Sequence, residues 1–173
     1  MNNTKTIFKS LLIMIVAISL FTVSCSKDEG GTKNPTNPTI VKVSADQITG
    51  VLKGLGQLKD TDGSTVILDF SSINPQDGSA VIANANESFS KVKTALTTVF
   101  GAPQTILTVT HNLDSATKPN NNGALNVELT FKANSGFEFD ESITGTDKTT
   151  YTYTASDKSA KLTLKITPKT AWQ

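Results

Sequence analysis

Three acidic side chains, Asp140, Glu141 and Asp147, bracket the loop after Gly136-Phe137-Glu138-Phe139. Two carboxyls set several ångströms apart can cleave a glycosidic bond, one as acid and the other as base or nucleophile. A second oxygen-rich stretch, Asp60, Asp62 and Ser64 around Gly63, shares the alternating donors of calcium loops. A calcium loop of that type also needs a glutamate near its twelfth position, and Phe70 to Ser72 supply none, so an ordinary turn is the favoured reading. His111 is the sole histidine. It has no second ligand at HxxxH or HExxH spacing, which excludes a three-histidine zinc site and favours a rim histidine near a strand end. Tyr151 and Tyr153 alternate along one strand, and Trp172 follows near the end. Those rings either make an aromatic platform for a sugar or a partner protein, or they pack in the core. Neither GxSxG nor GxxxxGK[ST] occurs. No cofactor and no metal are expected.

Composition narrows the field. All sixteen basic residues of the 173-residue chain are lysine. Arginine, whose planar fork grips phosphates and reads base edges, is missing, so nucleic acid is not expected as a partner. Cys25 is the single cysteine, so an internal disulfide is impossible and the thiol needs another use.

The first residues carry Lys5 and Lys9, and Leu11 to Phe21 is nearly unbroken hydrocarbon. A charged head followed by a short apolar run reads as a cleaved export signal, since a spanning helix needs about 20 apolar residues. Thr22-Val23-Ser24-Cys25 resembles the lipobox of bacterial lipoproteins, where small or apolar residues precede a cysteine that is acylated and becomes the new N-terminus. The resemblance covers only this end of the chain. It implies a signal peptide at 1–24, a lipid on Cys25 and a partner in the membrane itself. Ser26 stands where many inner-membrane lipoproteins have aspartate, so outer-membrane delivery is implied, with the periplasmic face as the alternative to the cell surface. Ser26, Lys27, Asp28 and Glu29 resemble the acidic surface-export signal of some Gram-negative lipoproteins, which favours the cell surface. Residues 25–39 hold glycine, proline, asparagine and threonine without a large apolar side chain, a composition suited to a tether. From Ser26 to Thr39 it can reach at most ~45 Å. With Lys5 and Lys9 removed, the net charge of +1 becomes about −1.

Residues 40–173 are expected to form one globular domain. Ile40, Val41 and Val43 suit a short strand, and Ser44-Ala45-Asp46-Gln47 reads as a capping box opening a helix. Ile48, Val51, Leu52, Leu55 and Leu58 recur at helical spacing, with Gly56 near the end. Asp60-Thr61-Asp62-Gly63 reads as a turn, Thr65 to Phe70 as a strand, and Asn74 to Gly78 as another turn. Phe89, Val92, Leu96, Val99 and Phe100 predict a second helix capped by Gly101. From Thr105 onward the pattern alternates: Ile106 to Leu113, Leu125 to Phe131, Tyr151 to Tyr153 and Leu162 to Ile166 read as strands, with Ser156 to Ser159 turning the last pair into a hairpin.

These elements predict an α+β domain, two amphipathic helices packed on a mostly antiparallel sheet of five or six strands, with an all-β sandwich as the alternative. A shift of 45 residues aligns Val51 with Leu96, Gly56 with Gly101, Leu68-Asp69 with Leu113-Asp114 and Gly78 with Gly123, which suggests a duplicated helix and hairpin. The expected function is a non-enzymatic binding or interaction module held at the surface. A carboxylate-based glycan hydrolase and a structural component of an envelope complex are the alternatives.

Overall fold

The computed structural model describes residues 39–56, 59–62, 65–82, 88–145 and 151–173. Residues Pro38–Gln173 form one compact unit. The capping box forms as its sequence requires: the Ser44 amide donates to Gln47 Oε1 at 2.8 Å, and the Gln47 amide donates to Ser44 Oγ at 3.3 Å. With its first amides satisfied, helix α1 runs Ala45–Gly56 and buries Ile48, Leu52 and Leu55. Helix α2, Phe89–Phe100, buries Val92, Ala95, Leu96, Val99 and Phe100 on one stripe. Gly101 does cap it, its amide donating to the Thr97 carbonyl and the next amide, that of Ala102, to the Val99 carbonyl. It does so at φ −82°, in right-handed rather than left-handed backbone.

The strands are β1 (Val41–Val43), β2 (Lys59–Asp62), β3 (Thr65–Asn74), β4 (Ser79–Ile82), β5 (Leu107–His111), β6 (Leu125–Ala133), β7 (Phe137–Phe139), β8 (Thr152–Thr154) and β9 (Ser159–Pro168). Seven make one sheet in the order β2-β3-β4-β9-β6-β5, with β8 also on β9. Only β4 with β9 is a parallel pair in it. The α+β class is therefore as expected, and the helical α1 rules out the sandwich. Strand Lys59–Asp62 is a correction, because Asp60 to Asp62 read as part of a turn. Strands β4 and β7 add to the expected set, β7 pairing with β1 in a separate parallel ribbon.

Alternation sorts the sheet into two faces. Leu125, Val127, Leu129 and Phe131 of β6 lie beside Ile166, Leu164, Leu162 and Ala160 of β9, all buried. Ala80 and Ile82 of β4 and Leu107 and Val109 of β5 extend this face. Helix α1 packs on β3, whereas α2 packs on both β3 and β5. β9 is the spine: along one edge it pairs with β6 from Ser159 to Ile166, and along the other it pairs first with β8 and then with β4. Gly78 sits where β4 meets that second edge. Its φ is +69°, and a Cβ there would lie 2.4 Å from the Thr163 carbonyl oxygen, so only glycine suits the position.

Candidate functional site

None of the described helices covers the outward face of the sheet. Its side chains follow from the same alternation that fills the core, the polar residue of each pair pointing to water. Cross-strand register sets them in rows. Thr108, Lys132, Ser159 and Thr154 form one row, and Thr110, Thr130, Lys161 and Thr152 a second. Asn126, Lys165 and Ser79 form a third. Between the second and third, Glu128 stands opposite Thr163 and its carboxylate accepts from Lys161 Nζ at 3.0 Å. All but Ser159 are exposed or half-buried. Ser159 is fully buried, and its hydroxyl has no hydrogen-bond partner. At the rim, Asp77 Oδ1 accepts from the Ser79 amide at 2.8 Å and hydroxyl at 2.6 Å, and these bonds hold its carboxyl below the usual range.

The aromatic residues singled out from sequence lie elsewhere. Tyr151 is 4% exposed, with its ring edge-on to Phe131 at 5.9 Å and its hydroxyl 3.0 Å from Thr49 Oγ1. Burial, only partly offset by the Thr49 hydrogen bond, raises its hydroxyl pKa, and Asp46 adds to the rise. Tyr153 is half-buried against Phe139. Trp172 is 5% exposed, edge-on to Phe89, with its indole N–H donating to the Gly123 carbonyl at 2.8 Å. The two tyrosines stack on different partners, and Trp172 closes a third corner of the core. They do not make one flat exposed strip.

Asp140 caps the short helix α3, Glu141–Thr144: its Oδ1 accepts from the Ser142 amide at 2.8 Å and from the Ser142 hydroxyl. The Ser142 hydroxyl oxygen in turn accepts from the Ala45 amide at 2.8 Å, tying this turn to the start of α1. Lys42, Phe139, Asp140, Glu141, Ser142 and Thr144 line an open cleft of about 440 Å³. Asp147, the third acid of that loop, lies outside the described residues, as do Ser64, Cys25 and Ser26 to Glu29. His111 ends β5, half-buried, with Nδ1 lacking a partner. Among the described residues no three His, Cys, Asp or Glu side chains converge as metal ligands. No described helix is long and apolar enough to cross a membrane.

The alternation of Asn126, Glu128, Thr130 and Lys132 and of Lys161, Thr163 and Lys165 is visible in the sequence, but their sharing of one surface is not. That required the pairing of β6 with β9, which residue patterns on single strands do not encode. Comparison with known proteins finds no matching family model, no matching curated protein and no matching solved structure.

Proposed function

We propose that the chain is a lipoprotein anchored through Cys25 in the outer membrane and displayed at the cell surface, where its domain acts as a non-enzymatic binding or interaction module. The observation that carries the binding part is the outward face of the sheet: a broad surface, covered by none of the described helices, whose rows of hydroxyl, amide and ammonium groups, Ser159 apart, are exposed or half-buried. Support for the anchor comes from Lys5 and Lys9, the apolar run from Leu11 to Phe21, and the lipobox resemblance at Thr22 to Cys25. The tether and the acidic residues Asp28 and Glu29 support surface display. Asp140 bears on the hydrolase alternative, because its carboxylate is engaged as a helix cap rather than directed at a second carboxyl.

Labelled fatty acid tests the anchor. The wild-type chain should take up label, and Cys25→Ala should abolish it and leave an unprocessed or soluble form; label retained in the variant would refute lipidation. Protease applied to whole cells should degrade the wild-type domain, and Asp28→Ala with Glu29→Ala should protect it. Binding is tested by exposing displaying cells to a panel of glycans and matrix proteins, with non-displaying cells as the control. Equal capture by the two cell types across the panel would count against a binding module.

A further inference from the structure

The three rows of the outward face have one property in common. Each holds a single lysine beside neutral side chains that hydrogen-bond: Lys132 next to exposed Thr108, with buried Ser159 on its other side, Lys161 between Thr130 and Thr152, and Lys165 between Asn126 and Ser79. Strand geometry puts Lys132 about 8 Å from Lys161, and Lys161 about 13 Å from Lys165, in a line along the strands. The outward residues of β5, β6, β8 and β9 named above include one acid, Glu128, which is paired with Lys161. Asp77 adds a second at the rim through Ser79. This part of the face is thus net positive, on a chain whose side chains without Lys5 and Lys9 are slightly negative in sum. Asp46, Asp114, Glu138, Asp140 and Glu141 sit instead on helices, on the β1–β7 ribbon and in connecting turns, while Asp60, Asp62 and Asp69 lie on β2 and β3 at the far edge of the sheet.

We infer that this face takes a linear acidic polysaccharide, lying along the strands with carboxylates on Lys132, Lys161 and Lys165 and sugar hydroxyls on the flanking Thr, Asn and Ser side chains. This deepens the reading of the domain as a binding module and rests on it. Charge complementarity selects the class. The named outward residues offer ammonium, hydroxyl and amide groups but no aromatic ring, so recognition is by charge and hydrogen bonding and not by stacking on a sugar face. A lysine is a compact charge on a flexible stem, which suits a polymer of repeating carboxylates better than one fixed bidentate site. Glu128 holds Lys161 in place while its own charge is compensated.

The test uses the whole mature lipoprotein in detergent micelles, run through gels containing polygalacturonate, its fully methyl-esterified form, or double-stranded DNA. Polygalacturonate should retard the protein, and raising salt from about 0.05 to 0.5 M should abolish the effect. Combined Lys132→Gln, Lys161→Gln and Lys165→Gln should weaken retardation about tenfold or more, while Lys53→Gln, Lys118→Gln and Lys158→Gln together should change it less than about twofold. Melting curves on both triple variants confirm that each is folded. Absent retardation on polygalacturonate, equal retardation on the methyl ester or on DNA, or equal loss in both triple variants would each overturn the inference. Retardation on the ester alone would still leave a glycan-binding module, so the acidic class can fail without the wider reading. The cell-capture panel decides that reading independently.

Discussion

The two halves of the sheet follow one plan, a helix and then a hairpin, but they carry different loads. In the first half α1 precedes β3 and β4; in the second α2 precedes β5 and β6. A half-turn about an axis through β9 and normal to the sheet would lay one hairpin on the other, since β4 is parallel to β9 and β6 antiparallel. The residue-level match is weaker: Leu68-Asp69 lies within β3, whereas Leu113-Asp114 lies in a 3₁₀ turn after β5. The helices differ most. α1, with Gly50, Gly54 and Gly56, covers β3 of its own hairpin, while α2, free of glycine, packs on its own β5 and on β3 of the other half. Similar local order therefore need not mean equal structural weight; the stiffer helix is the one both halves share.

The largest expected effect tests that sharing. Phe100, fully buried on α2, meets Phe70 of β3 with ring centroids 6.1 Å apart. Phe100→Ala should cost about 3 to 5 kcal/mol in urea unfolding while keeping a single transition. Leu52→Ala on α1 should fall toward the lower part of the range of about 2 to 5 kcal/mol. A double-mutant cycle between Phe70 and Phe100 should show coupling of about 0.5 to 1.5 kcal/mol. Two separated transitions in the Phe100 variant would mean that the halves are independent after all.

Turn chemistry gives the next effect. Gly78→Ala, at positive φ and against the Thr163 carbonyl, should cost about 2 kcal/mol or more. Gly136→Ala also has positive φ, at +84°, but its Cβ would meet open space. Its cost should stay near the backbone penalty alone, about 1 to 2 kcal/mol. Equal losses at the two sites would show that the β9 contact is unimportant.

Tyr151 joins α1 to the sheet through Thr49. Thr49→Val should cost about 1 kcal/mol by removing that hydrogen bond. Because the folded Tyr151 holds its proton to higher pH than the unfolded chain does, its stabilising contribution is intact below the ordinary tyrosine range. It is lost as pH rises through the folded value. Stability measured up that alkaline range should fall more steeply in the wild type than in Tyr151→Phe; parallel curves would assign the alkaline loss to other groups.

The smallest effect is a gain. Gly50 sits within α1, and a methyl group added to it would have no neighbour within 4 Å, so Gly50→Ala should raise stability by about 0.5 to 1 kcal/mol. That would narrow the difference between the two helices without touching a contact.

Much of this architecture was legible because local rules and tertiary structure agree. Ser44 and Gln47 announced α1, the apolar stripe from Phe89 to Phe100 announced α2, and the alternations in β6 and β9 marked their buried faces. Misreadings arose where polar residues entered a strand. Lys59-Asp60-Thr61-Asp62 has the composition of a turn, yet pairs with β3, and Ser71 and Ser72 carry β3 on past Phe70 to Asn74. The fate of the aromatic rings turned on long-range packing: Tyr151 is covered by Phe131 and Thr49, both distant in sequence. Likewise Lys132, Lys161 and Lys165 become one surface only through strand order, which no single segment specifies.

Strand β9 also orders events in time. Residues 159–168 are the common partner of β4, β6 and β8, and they follow all three in the sequence. While earlier strands emerge from the ribosome, neither half of the sheet has the neighbour that joins it to the other, and the pairing of β4 with β9, the most distant in sequence within this sheet, must wait until residues 159–168 are made. A sheet so arranged stays unclosed until residues 159–168 have been added.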